Sequence, residues 1–304
     1  GRSGVCVGRR PLGCLRLFVL GAGCSVRVQE SLFQMTHDNH TETSALPLRN
    51  RRAVIGGASR GIGRAIAERF AKQGAKVLLL ARNAERLAEV TAGLARPTGA
   101  DHGYRAVDYR DPDSVCAAVA GWPAGGPIHI VVNNTGGPAG GPLIEATPEA
   151  FEAAMQQHLL VNHRLMQLLL AGMREAQYGR ILNVISTSVI EPIPGLGVSN
   201  TTRWAVASWA KTLSREVAPW GITVNNILPG YTATERLQDL AAGRAAREGR
   251  DAEAVRQAWL DSVPAGRFAQ PEEIAAAVAF LAGPDAGYIT GINLPVDGGR
   301  LHGM

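Results

Sequence analysis

The 304-residue sequence predicts an α/β fold, a doubly wound parallel sheet in a single domain with a helical lid. Three observations predict it. A glycine-rich run, Gly56-Gly57-Ala58-Ser59-Arg60-Gly61-Ile62-Gly63, separates a short β-branched segment (residues 52–55) from a segment with apolar Ala65, Ile66, Phe70 and Ala71 near helical spacing. The run at 77–81 is continuously apolar, as a parallel strand buried on both faces must be. Strand-like and helix-like segments then alternate to the end of the chain, and in such sheets ligands bind outside the carboxyl ends of the strands.

Taken in order, residues 36–50 are polar and read as a leader to a strand at 52–55. The glycine run follows as a phosphate cradle: small residues admit close backbone approach, and the free N–H groups opening the next helix face negative charge. A strand at 77–81, a helix at 85–95, a strand at 104–108 and a helix at 113–120 come next. Residues 128–133 form the fourth strand. Residues 147–174 form one or two long helices, with Thr147 as cap and Pro148 and Glu149 in the first turn. A strand at 180–185, a helix at 200–217 and a strand at 223–228 continue the alternation. Residues 231–265 are charged and Ala-rich and read as a helical lid, a solvated helical hairpin having the same pattern. A helix at 271–281 and a strand at 292–296 close the domain, which is assigned to residues 51–304.

Charge and cysteine usage exclude several function classes. The net charge is +5, but residues 1–34 hold five Arg and one Glu, so the remaining 270 residues carry only +1. The body has no basic stripe with interleaved aromatics, which argues against nucleic acid as a partner. Cys6, Cys14 and Cys24 lie in the first segment, leaving Cys116 alone in the body. No disulfide framework can form there, and a reducing cytoplasm is the natural setting. Arg2, Arg9 and Arg10 ahead of an apolar run at 15–24 resemble a signal peptide, but Arg16 interrupts the run and the first Met is Met35. Residues 1–34 are therefore read as a disordered upstream extension, and no segment reaches the length of a membrane span.

Several motifs now stand in one recurrent order. Gly57-x-x-x-Gly61-Ile62-Gly63, Asn133-Asn134-Thr135-Gly136, Pro229-Gly230 after the sixth strand and Val296-Asp297-Gly298-Gly299 together resemble the short-chain dehydrogenase/reductases. The similarity is greatest to those like the 3-oxoacyl-acyl-carrier-protein reductases and covers about residues 51–300. It implies a Rossmann-type fold and a dinucleotide held by Gly57, Ser59, Gly61, Ile62, Gly63, Asn134, Thr135, Gly136, Pro229 and Gly230. Asp108 and Tyr109 would lie at the adenine, and Thr232 and Thr234 would hold the nicotinamide amide. Charge selects the cofactor: Arg60 in the glycine turn and Arg82 after the second strand can clamp a 2′-phosphate, which favours NADP(H). No metal is expected. Homotetramers, or dimers, are the assembly the resemblance implies.

The chemistry departs from the family. There, a Tyr-x-x-x-Lys pair follows the fifth strand, with a Ser on that strand's end and an Asn on the preceding helix. Here the pair falls on Ser199 and Arg203, the Asn falls on His158, and Ser186 is retained; no Tyr occurs between Gly179 and Gly230. A serine alcohol is a far weaker acid than a phenol, and Arg203 stays protonated where Lys could relay protons. Arg203 can instead bind the ribose hydroxyls or grip a substrate carboxylate. His158 is expected to be the one nearby group titrating near neutrality. The sequence thus points to an NADP(H)-dependent oxidoreductase acting on a small carbonyl or alcohol through a non-standard proton path. The alternative is a catalytically degenerate NADP(H)-binding protein that works as a regulator or assembly partner.

Overall fold

The computed structural model describes residues 46–122 and 125–303, and the expectations for residues 1–34 lie outside these. Seven strands form one sheet: β1 (Arg52–Gly56), β2 (Lys76–Ala81), β3 (Gly103–Ala106), β4 (Ile130–Asn133), β5 (Gly179–Val184), β6 (Ile222–Pro229) and β7 (Asn293–Val296). Their order is β3-β2-β1-β4-β5-β6-β7, and every pairing is parallel. Strand order reverses between β1 and β4, so the crevice at their carboxyl ends is where the fold presents a ligand site.

The helices are α1 (Gly61–Lys72), α2 (Ala84–Ala92), α3 (Pro112–Ala120), α4 (Pro148–Met155), α5 (Val161–Glu175), α6 (Gly197–Val217), α7 (Glu235–Glu248), α8 (Ala252–Asp261) and α9 (Pro271–Ala282). Successive strand residues feed opposite faces, as a period of two requires. Ile55, Leu79, Val132 and Leu182 join Ile66, Phe70 and Val278 in the core beneath α1 and α9. Val54, Leu78, Leu80, Ile181 and Val224 join Leu165, Met173 and Leu213 in the core on the other face. The continuously apolar strands are explained by these two cores.

Two details differ from the sequence reading, and one refines it. Leu48, inside the segment read as a polar leader, is fully buried, and its N–H donates to the Gln73 carbonyl at 3.0 Å. The folded body thus begins before residue 51. Residues 147–174 form α4 and α5 joined through a widened π turn at Gln156–Leu160, which carries His158. β3 stops at Ala106, so Asp108 and Tyr109 sit in the turn that follows it.

An asparagine ladder crosses the sheet in register. Asn133 Nδ2 donates to Asn183 Oδ1, Asn183 Nδ2 to Asn226 Oδ1, and Asn226 Nδ2 to Asn293 Oδ1, each at 2.8 Å. Four amides on adjacent strands are linked in a row from the buried Asn133 to the exposed Asn293, which pins the register of β4 to β7.

The segment after β6 forms two helices with an apolar core of their own. Leu237, Ala241 and Ala245 of α7 pack on Val255 and Trp259 of α8, with Tyr231 and Phe268 at the edge. Tyr231 stacks on Trp259 at 5.1 Å between ring centroids. Thr234 and Asp251 cap the two helices, and Gly249 at φ 62° ends the first. Among the described residues no helix is long and apolar enough to cross a membrane.

Candidate active site

The glycine turn joins β1 to α1 by a path that side chains would obstruct. Gly57 and Gly61 have φ of +60° and +54°, and a Cβ on Gly57 would lie 2.7 Å from the Asn134 carbonyl oxygen. Asn134 Nδ2 donates to the Gly56 carbonyl at 3.0 Å, tying β4 to the turn. α2, α3, α4, α7 and α8 are each capped by a side chain, from Asn83, Asp111, Thr147, Thr234 and Asp251. α1 is not: its N-cap Arg60 offers no side-chain acceptor, and no acid stands in its first turn. The N–H groups that open α1 therefore lack a side-chain partner, an arrangement that suits a phosphate. Across the cleft, nothing lies within 4 Å of the position a Cβ on Gly136 would take. An uncapped helix start facing open backbone fits a dinucleotide pyrophosphate.

Beside the turn, Arg60 is ion-paired with Glu235, the first residue of α7, and Arg86 Nη1 lies 3.5 Å from the same carboxylate. Arg82, exposed at the end of β2, makes no ion pair among the described residues. Asp108 is gripped by Arg110, which holds its carboxyl below the usual range, with Arg82 contributing at longer reach. Tyr109 is 6 % exposed and packs beneath the turn against Gly56, so its side chain supports the loop from below. Burial pushes its phenol up. Ile62 likewise packs on the core, and half-buried Ser59 lies between it and Gly57.

At the ends of β4 and β5 the other named residues converge. Ser186 caps the short turn after β5, its Oγ accepting from the Ser188 N–H at 3.1 Å. Ser199 and Arg203 stand one turn apart on α6, hence on one face. Ser199 is half-buried and its hydroxyl makes no hydrogen bond among the described residues. Arg203 is 8 % exposed, and its Nη1 donates to the Val184 carbonyl at 3.3 Å. Burial, and then the charge of Arg236, lower its pKa to about 10. Thr135 Oγ1 and His158 Nδ1 are hydrogen-bonded at 2.7 Å.

His158 corrects the sequence expectation. Only 2 % of it is exposed, and burial together with the Arg203 charge lowers its pKa to about 2. The imidazole stays neutral at physiological pH and does not titrate near neutrality. Its buried Nε2 has no hydrogen-bond partner among the described residues.

The strand β6 delivers the opposite wall. Gly230 lets the chain pass Asp297 closely, since a Cβ there would lie 2.7 Å from the Asp297 Cα. Thr232 Oγ1 donates to the Gly230 carbonyl at 3.2 Å, and Thr234 Oγ1 donates to the Thr232 carbonyl at 3.3 Å while capping α7. A Cβ on Gly61 would fall 3.2 Å from Thr234 Cγ2, so the phosphate turn and this wall face each other.

A family profile described as enoyl-(acyl carrier protein) reductase matches residues 57–300. The chain belongs to the short-chain dehydrogenase/reductase family. It is 37 % identical to the 3-oxoacyl-(acyl-carrier-protein) reductase FabG of Vibrio cholerae, over 83 % of this chain and 98 % of that one. Its structure is similar to that of the L-sorbose reductase of Gluconobacter frateurii, solved with NADPH and L-sorbose. The TM-score is 0.78 at 34 % identity, covering 86 % of this chain and all of the other. An actinorhodin polyketide ketoreductase solved with NADPH matches with a TM-score of 0.75 at 31 % identity, over 82 % and 97 % of the two chains.

Relative to the short-chain dehydrogenase/reductase motifs, sequence reasoning missed four charged residues at the site: Arg86, Glu235, Arg236 and Arg300. Arg236 Nη2 donates to the Gly137 and Pro138 carbonyls at 3.4 and 2.8 Å. Arg300 Nη1 donates to Thr187 Oγ1 at 3.2 Å, and its guanidinium lies 4.8 Å from the Tyr231 ring centroid. The one available signal was that Glu235 and Arg236 directly follow the Thr232–Thr234 segment.

Proposed function

We propose that this chain is an NADP(H)-dependent oxidoreductase acting on a small carbonyl or alcohol, with a proton path that does not use the family's Tyr and Lys. The observation that carries the cofactor half is the uncapped start of α1 between Arg60 and the open Gly136 backbone. The NADPH-bound state of the similar reductases supports it. Bound there, NADP(H) supplies or accepts a hydride. Gly57, Gly61, Gly63 and the α1 N–H groups hold the pyrophosphate, Arg60 and Arg82 hold the 2′-phosphate, and Asp108 lies toward the adenine. Thr232 and Thr234, with Pro229-Gly230, position the amide end.

Ser186 and Ser199 take the place of the missing phenol in this reading. Their hydroxyls donate to the substrate oxygen as negative charge develops on it, and the Arg203 cation, one helical turn from Ser199, favours that charge at longer reach. Neutral His158 orients Thr135 through Nδ1, and the proton is delivered by water rather than by the imidazole. The folded domain includes the buried Leu48 and runs to Gly303, with residues 231–265 as lid, in a reducing cytoplasm and as a homotetramer or dimer.

The cofactor assignment is tested by titrating the full chain with NADPH and NADH. Wild type should prefer NADPH, and Arg82→Ala should lose about 1.5–3 kcal/mol of that preference, the range of one charge-assisted contact. An unchanged NADPH/NADH ratio in the variant would remove Arg82 from the phosphate site.

A further inference from the structure

Two guanidinium groups meet at Gly137 with no acid between them. Arg236 Nη2 and Arg203 Nη2 lie 3.7 and 3.8 Å from the position a Cβ on Gly137 would take. We propose that Arg203 and Arg236 form an anion subsite that holds the carboxylate of the substrate, so that the enzyme acts on a short oxo acid or its hydroxy counterpart. This deepens the oxidoreductase reading above and rests on it.

The argument begins with what Arg203 lacks. A guanidinium carries five donors, yet buried Arg203 makes one hydrogen bond, to the Val184 carbonyl. Neither it nor Arg236 makes an ion pair among the described residues. A buried cation without a counter-ion is unfavourable, and a second cation beside it raises the cost. The Arg236 charge is indeed felt at Arg203, whose pKa it helps to lower. An anion bridging the two removes both penalties, and planar guanidinium forks match a carboxylate in bidentate fashion.

The surroundings reinforce this. The acids that could neutralise the pair are engaged elsewhere. Glu235 holds Arg60 and Arg86, and Glu191 accepts from the His302 N–H at 2.8 Å. Asp297 accepts from the Gly299 and Leu301 N–H groups. Asp239 acts on Arg236 at longer reach without an ion pair. Arg300 adds a third cation beside Thr187, the neighbour of Ser186, and its Nε is buried without a partner. Arg203 is one helical turn from Ser199, so a carboxylate at the arginines leaves the adjacent carbonyl near the serine hydroxyls. That spacing favours a 2- or 3-oxo acid.

The test uses the full chain and separates the two readings. NADPH binding is measured first by fluorescence titration. Binding and reduction of pyruvate, 2-oxoglutarate and acetoacetate are then compared with those of their methyl esters, in wild type, Arg236→Gln and Arg236→Lys. Thermal melting confirms that each variant folds. At least one acid should outperform its ester by about 10- to 150-fold, the equivalent of one charged hydrogen-bonded contact. Arg236→Gln should lose most of that preference, and Arg236→Lys should keep part of it, with NADPH affinity unchanged in both. Esters equal to acids, a preference for dihydroxyacetone phosphate, or an Arg236→Gln chain that weakens only NADPH would overturn the subsite. If NADPH fails to bind, the cofactor reading falls, and calorimetric titration of the cofactor-free chain with the same acids still decides the subsite.

Discussion

His158 illustrates how a single buried ring can be read wrongly from chemistry alone. A histidine near an active site suggests a proton donor, but this one is enclosed beside the Arg203 cation, which disfavours its charged form. The sign of the pH effect follows. Its folded pKa of about 2 lies below the unfolded value of about 6.5, so its contribution to stability is complete above about pH 6.5. That contribution is lost progressively as pH falls toward the folded value. Unfolding free energies measured by denaturant titration should drop between about pH 6.5 and 4 with a slope that His158→Asn reduces by up to about 1.4 kcal/mol per pH unit. The same protein should show no inflection in kcat assignable to His158 between about pH 5 and 8. A kcat inflection near neutrality that disappears in His158→Asn would restore the imidazole as proton donor.

At the scale of elements, the α7–α8 pair, the proposed lid, is a module with its own interior. α7 and α8 bury Trp259 against Leu237, Ala241 and Tyr231, apart from the two cores that flank the sheet. Trp259→Ala removes the largest member of that cluster, a change that costs about 3–5 kcal/mol in a packed core. The loss should be local: limited proteolysis between Gly249 and Arg250 should accelerate and substrate KM should rise, while the melting of the sheet is little altered. A variant that melts globally at a much lower temperature, with no faster cleavage at that turn, would show the lid to be part of the main core.

The lid also marks the limit of what the sequence made legible. The strands, the glycine turn and the cap Thr147 follow local rules of periodicity and backbone sterics, so their positions could be read directly. The delivery of Arg236 to Gly137 depends on where α7 packs, and no local pattern encodes that. The asparagine ladder escaped for a related reason, since it joins residues about 40 to 70 positions apart through strand register. Leu48 was hidden because a few apolar residues in an otherwise polar stretch, Ala45, Leu46 and Leu48, are too short a run to set a period.

For the whole molecule, the described surface keeps several large apolar side chains exposed. Leu160 and Leu168, on the π turn and α5, are 47 % and 41 % exposed, and Trp204 on α6 is 49 % exposed. Closed symmetric oligomers are the common way to cover such faces. Light scattering at micromolar concentration should return a dimer or tetramer, and Leu168→Glu with Trp204→Glu should shift it toward monomer. A wild-type monomer would reject this assembly.

Catalysis is proposed to persist in this chain without the family's Tyr and Lys. Its most direct measurement is NADPH consumption by the full chain against the oxo-acid panel, run beside Ser186→Ala/Ser199→Ala and Ser199→Tyr/Arg203→Lys. We expect wild type to consume NADPH with at least one acid. The double alanine variant should lose about 10²–10³-fold in kcat, the scale of removing an oxyanion donor, and the Tyr/Lys variant should be impaired. A wild-type chain that binds NADPH but reduces nothing, together with activity that first emerges in the Tyr/Lys variant, would contradict the claim and leave a cofactor-binding protein that has lost catalysis.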